Sequence, residues 1–198
     1  MQHTLGSYIT GKQLIVNEQI RRVVGIIGFL VLTTAGAFLY IRLPYTPVPI
    51  TLQTFFVLLS AVFLRKTDAV FTQGLYLGLG AAGLPIFSVS QGGLLKLFGP
   101  TGGYIVGFVF AVFVVSYLLD YYRQRNGLKF VSIIFSLSLG NCTIYLFGGI
   151  WLYLFMHLTV VEVFILGVIP FVFADILKVI FAASIYSLAG LKIRNMFK

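Results

Sequence analysis

Asp175 and Lys178 are ionisable residues three positions apart inside an otherwise apolar run, Phe164 to Ala189. On a helix they project from one face, about a turn apart. Left alone near the middle of a bilayer, either charge costs roughly 3 kcal/mol or more, so two charges there need a physical reason. The pair can neutralise itself and fix helix packing. It can also anchor a polar ligand, the carboxylate accepting from N–H groups and the ammonium donating to a carbonyl or carboxylate. Asp175 stands about 11 residues into the run, too deep to snorkel easily to either interface. That depth favours a ligand cavity.

Other reactive-looking residues carry less. Glu162 lies beside the start of the same run and reads as a solvated cap, and His157, in the same turn, reads as an interfacial anchor. No second His or carboxylate stands near them at metal-ligand spacing, so no metal is expected. Gly6-Ser7-Tyr8-Ile9-Thr10-Gly11-Lys12 has the glycines and lysine of a phosphate loop. However, Gln13 replaces the Ser or Thr that binds magnesium, and no strand precedes it. ATP binding, a cofactor and an enzymatic reaction are therefore not expected of this chain. Coupling to an ion gradient usually leaves several acids within the spans. Only Asp175 is available, so a partner protein supplying the energy is the better inference. Tyr145 and Trp151, six apart in the run Phe130 to Met156, could wall an apolar ligand, and position alone leaves that open.

The elements that must hold these residues follow from composition. Of 198 residues, 59% are hydrophobic and 10% charged, against about 25% charged in soluble domains, which excludes an ordinary water-soluble fold. At about 20 apolar residues per crossing the chain can span a bilayer roughly six times. Six runs are visible: Val23 to Tyr40, Thr51 to Leu64, Ala69 to Leu84, Tyr104 to Leu119, Phe130 to Met156 and Phe164 to Ala189. The expected fold is an all-α membrane protein. A six-transmembrane-helix bundle over residues 23–190 follows a polar segment, 1–22, and precedes a basic tail, 191–198. Pro44, Pro47 and Pro49 forbid helix between the first two runs, implying a turn or re-entrant loop. Pro85 to Gly103 holds two prolines and five glycines yet stays apolar; such backbone is tolerated at membrane depth only when buried or lining a cavity.

The formal charge of +9 comes as short clusters between apolar runs rather than as a basic patch, which argues against nucleic acid. With the N-terminus inside, eleven Lys and Arg fall on inner segments and two, Arg42 and Lys96, on outer ones. This bias places both termini in the cytoplasm and both breaker-rich loops outside. The single Cys142 can form no intrachain disulfide. Thr33, Thr34, Ala35, Gly36 and Ala37, and Ala182, Ala183 and Ser184, form small faces suited to internal packing or to a partner helix.

Four motifs follow one another along the chain. They are Pro47-Val48-Pro49-Ile50-Thr51-Leu52-Gln53-Thr54, Gly83-Leu84-Pro85-Ile86-Phe87, Gly99-Pro100-Thr101-Gly102-Gly103-Tyr104, and Pro170-Phe171-Val172-Phe173-Ala174-Asp175-Ile176-Leu177-Lys178. Their content and order resemble the signatures of the biotin transporter family BioY. The resemblance implies a six-helix substrate-binding S component of an energy-coupling-factor transporter, multi-pass in a bacterial cytoplasmic (inner) membrane. It implies as partners biotin, membrane lipid, and a transmembrane coupling protein driven by two ATPase subunits. By motif, Asp175 and Lys178 would lie in the biotin pocket. Thr51, Gln53, Gly99, Thr101, Gly102, Gly103 and Tyr104 would close it, with Ser90 and Gln91 near its rim. Thr33, Ala35, Gly36 and Ala37 would form the docking surface for the coupling protein. The family also uses an Arg at the Tyr104 position and an Asn near Ser90. Without them, carboxylate recognition falls to Lys178, Ser90, Gln91 or Lys96. Two further readings stay open: a stand-alone secondary transporter of a related small carboxylate, and a structural membrane subunit that binds no small molecule.

Overall fold

A computed structural model describes residues 18–88, 92–125 and 127–197; Ser90, Gln91 and the glycine–lysine stretch 6–12 lie outside the described residues. Helix α1 (Glu18–Phe38) ends before the prolines begin. The chain then folds back as a short ribbon, β1 (Tyr40–Ile41) antiparallel to β2 (Ile50–Thr51), with Tyr40 opposite Thr51. The Leu52 N–H donates to the carbonyls of Gly36 and Leu39 at 3.1 and 3.0 Å, so the ribbon satisfies carbonyls that the end of α1 leaves open.

Helices α2 (Gln53–Phe63) and α3 (Lys66–Ala81) follow. Gly83, with φ of 107°, turns the chain out of α3, and Phe87 from the next loop plugs the interior edge-on to Tyr76. A single turn, α4 (Leu94–Leu97), precedes α5 (Gly102–Arg125) and α6 (Phe130–Met156). The last two helices are α7 (Val160–Gly167) and α8 (Ile169–Phe197).

Among the described residues four helices, α1, α5, α6 and the stretch Ile169–Leu188 of α8, are long and apolar enough to cross a membrane, and α2 is apolar but shorter. The expected runs are corrected at several ends. The last run is two helices, because Pro170 offers no N–H and its ring opposes a continuous helix through Val168. Helix α5 continues past Leu119 to Arg125, its polar end tied by an Asp120–Arg123 ion pair of 2.8 Å. Against the expectation of no helix there, the described residues of 85–103 include the turn Leu94–Leu97 and the start of α5 at Gly102.

Helices α5 and α6 make the most extensive contact. Gly103 permits it: a Cβ there would sit 2.2 Å from the Trp151 Cβ and 2.6 Å from the Phe147 carbonyl oxygen. Leu58, Phe108, Val112, Leu137, Ile144 and Leu152 fill the interior between α2, α5 and α6. At the opposite end of α1 from the ribbon, Arg22 clamps buried Asp68 of α3 through Nε and Nη2, with the shortest contact 2.6 Å.

Candidate ligand-binding site

The prolines of residues 44–49, the ribbon and the start of α2 lie against α8, and the small gap between them is lined by polar side chains. Thr51, Gln53, Thr54, Thr101, Asp175 and Lys178 line it together with Val48, Tyr104, Phe108, Tyr145 and Phe171. Its volume is about 50 Å³, room for a few waters and well under the roughly 300 Å³ of the smaller ligand pockets.

Asp175 and Lys178 project together from α8, as their spacing requires, with Nζ 2.6 Å from Asp175 Oδ1. Lys178 also donates to the Thr51 carbonyl at 2.8 Å and to Thr54 Oγ1 at 2.9 Å. The Thr54 hydroxyl in turn donates to Asp175 Oδ1 at 3.3 Å. The other carboxylate oxygen accepts from Asn141 Nδ2 at 3.3 Å and from the Tyr145 hydroxyl. Four donors thus meet a carboxylate that is 3% exposed, and the ammonium's three hydrogens are all used. Paired and fully bonded charges are what a low-dielectric interior can hold.

A second set of bonds shapes the surround. Gln53 donates from Nε2 to the Tyr76 hydroxyl, which donates to the Ile86 carbonyl at 2.9 Å. This couples the cavity wall to the loop after α3. The break between α7 and α8 frees carbonyls that a residue of the proline loop and one of the cavity wall satisfy. Thr46 donates to Leu166 O at 2.6 Å, and Tyr104 donates to Gly167 O at 2.8 Å. Beyond the break, Thr159 and Glu162 form a capping box at the start of α7. The backbone N–H and hydroxyl of Thr159 hold the Glu162 carboxyl below its usual range.

Of the expected site residues, Thr51, Gln53, Thr101, Tyr104, Tyr145, Asp175 and Lys178 are brought together at the cavity. Gly99, Gly102, Gly103 and Trp151 are not among its lining residues. Trp151 instead donates from its indole to the Gly99 carbonyl at 2.9 Å, over the α5–α6 contact. Lys96 also lies off the cavity; burial and then nearby Arg42 hold its ammonium below the usual range. Thr33, Gly36 and Ala37 are buried, and a Cβ on Gly36 would meet the Gln53 backbone nitrogen at 2.9 Å. That small face is used inside the molecule, and of the four expected docking residues only Ala35 is exposed. Thr54 and Asn141 are site residues the sequence reading missed. Asn141 had a signal, as the lone side-chain amide in its apolar run; Thr54 had only its place at the end of the first motif.

The architecture is a bundle of apolar helices, several long enough to cross a membrane, around a buried, charged cavity. The crystal structure at 2.1 Å of the S-component for biotin from an ECF-type ABC transporter superposes with a TM-score of 0.80. The match covers 91% of this chain and 93% of that one at 22% identity, and the fold is that of an S component. A sequence model of the BioY family matches residues 9–195. The probable biotin transporter BioY of Pyrococcus horikoshii is 38% identical over 150 residues, 76% of this chain and 84% of that protein. The biotin transporter BioY of Thermotoga maritima is 38% identical over 157 residues, 79% and 88% of the two chains. The chain belongs to the BioY family, a family of transporter components and not of enzymes.

Proposed function

We propose that this chain captures biotin at Asp175 and Lys178 beneath the proline loop, the cavity of about 50 Å³ widening as the ligand enters, and delivers it inward as the substrate-binding subunit of an energy-coupling-factor transporter. The observation that carries the reading is the Asp175–Lys178 pair, buried and facing a cavity between apolar helices. A ureido ring offers two N–H donors to a carboxylate and a carbonyl to an ammonium. Each charge-assisted bond of that kind contributes about 1.5–3 kcal/mol. Val48, Phe108 and Phe171 supply the apolar wall that a thioether ring and aliphatic chain require.

In this reading residues 23–190 form the binding domain, and the termini face the cytoplasm of a bacterial cell on the eleven-to-two charge bias. Energy comes from a coupling protein and its two ATPases. That protein would dock on the exposed stripe Val24, Gly28, Val31 and Ala35 of α1, beside the buried small face. Binding of radiolabelled biotin to the purified chain is the test. Asp175→Asn and Lys178→Ala should each abolish high-affinity binding, and wild-type binding by both variants would refute the assignment.

A further inference from the structure

A groove of about 740 Å³ runs along the outer face of α6, against α7 and the α7–α8 junction. Cys142, Leu146, Ile150, Tyr153 and Phe164 line it, and none of its lining residues is charged. Leu146 and Ile150 are more than half exposed on α6, a helix long and apolar enough to cross a membrane, and Phe164 of the short α7 beside it is more than half exposed too, so this face meets hydrocarbon. From Cys142 to Leu154 the groove is about 18 Å long at 1.5 Å per residue, close to half of a roughly 30 Å hydrocarbon core, which is the depth of one leaflet. Partner helices in membranes dock through small residues and interhelical hydrogen bonds; these walls are mostly branched and aromatic.

Tyr145 lines both this groove and the polar cavity, and its hydroxyl bonds Asp175. Because Asp175 already accepts four hydrogen bonds, a ligand N–H must displace one of those donors. Thr54, Asn141 and Lys178 are absent from the groove lining, so Tyr145 alone among the donors has space to withdraw into.

We propose that the groove holds the acyl chain of a phospholipid, and that this chain opposes ligand binding at Asp175 by blocking withdrawal of Tyr145. The acyl site stands by itself; the coupling rests on the reading that biotin binds at Asp175.

The test uses the full chain in phosphatidylcholine nanodiscs doped with phosphatidylcholine that carries a diazirine on one acyl chain. After irradiation, adducts should concentrate on Cys142, Leu146, Ile150 and Phe164. Val24 and Val31 of α1, 56% and 59% exposed, should be labelled several-fold less. Leu146→Trp, which narrows the groove beside Tyr145, should reduce those adducts and weaken biotin binding on the order of tenfold. In a Tyr145→Phe background, where no hydroxyl needs displacing, Leu146→Trp should leave affinity unchanged. Equal labelling of α1 and α6 would overturn the acyl site, as would a dimer whose formation suppresses the adducts. Wild-type affinity in Leu146→Trp would overturn the coupling. So would absence of biotin binding by the wild-type chain, in which case the adduct map still decides the groove.

Discussion

A double-mutant cycle on Asp175 and Lys178 separates the two roles their spacing allows. Lys178→Met strands a carboxylate that is 3% exposed, still held by Thr54, Asn141 and Tyr145. Asp175→Asn leaves an ammonium whose side chain is 11% exposed with neutral acceptors alone, Thr51 O, Thr54 Oγ1 and the new amide oxygen. Breaking a buried pair in this way costs about 3–5 kcal/mol, whereas removing both charges is close to neutral. For a chain of this size about 2–4 °C of Tm accompanies each kcal/mol, so each single variant should melt roughly 6–20 °C lower. The double variant should recover most of that loss. Thermal unfolding in detergent, paired with equilibrium binding of radiolabelled biotin, reads both quantities on one sample. If the pair contacts ligand, the double variant regains stability yet binds at least 100-fold more weakly, since two charge-assisted bonds of about 1.5–3 kcal/mol each are gone. A double variant that melts and binds like the wild type would refute the ligand role and leave only packing.

Further outcomes follow from single contacts. Tyr104→Phe leaves the Gly167 carbonyl without its 2.8 Å donor and should lower stability by about 1–3 kcal/mol, read as Tm. Gly167→Ala should be worse, because its Cβ would fall 2.6 Å from the Tyr104 hydroxyl and 2.7 Å from Leu152 Cδ1. Arg22→Ala strands buried Asp68, 2% exposed, and should lower Tm by more than Arg123→Ala, which removes the partly exposed pair with Asp120 and should cost about 1 kcal/mol or less. The depressed Glu162 carboxyl stabilises the start of α7 at pH values above its unfolded pKa. That contribution disappears as pH falls through the folded value, below 4.5. Glu162→Gln should flatten this acid limb in amide exchange of residues 160–163.

How far these features are readable in the sequence depends on how local their causes are. Asp175 and Lys178 stand out because a charge in an apolar run is costly wherever the helix packs. The ends of α6 coincide with the run Phe130 to Met156, since Lys129 before it and the left-handed His157 after it are local features. The break at Val168 had its signal in Pro170, but an unbroken apolar stretch conceals a change of direction that costs nothing in composition. Helix α5 outruns its apolar stretch for the converse reason: the Asp120–Arg123 pair continues the helix through polar residues. The fate of the small face on α1 is a tertiary matter. Whether Thr33, Gly36 and Ala37 meet a partner or α2 depends on the ribbon folding Leu52 back onto Gly36. Trp151 and Gly103 sit at one helix contact rather than in the cavity because of that same kind of long-range pairing.

The shortness of α2 has an electrical consequence. Its 11 residues rise only about 16 Å, roughly half of a 30 Å hydrocarbon core. Arg65 and Lys66 at its far end belong at an interface, which leaves Thr51 and Thr54 near the midplane. A singly charged group drawn to Lys178 from the opposite side therefore crosses about half of the membrane field. At about 2.3 kcal/mol per charge per 100 mV for the full field, half of it changes the occupancy of such a group about sevenfold for each 100 mV. If the carboxylate of the proposed substrate is the group that pairs with Lys178, its affinity depends on membrane voltage; a neutral ureido carbonyl in that place would show no such dependence.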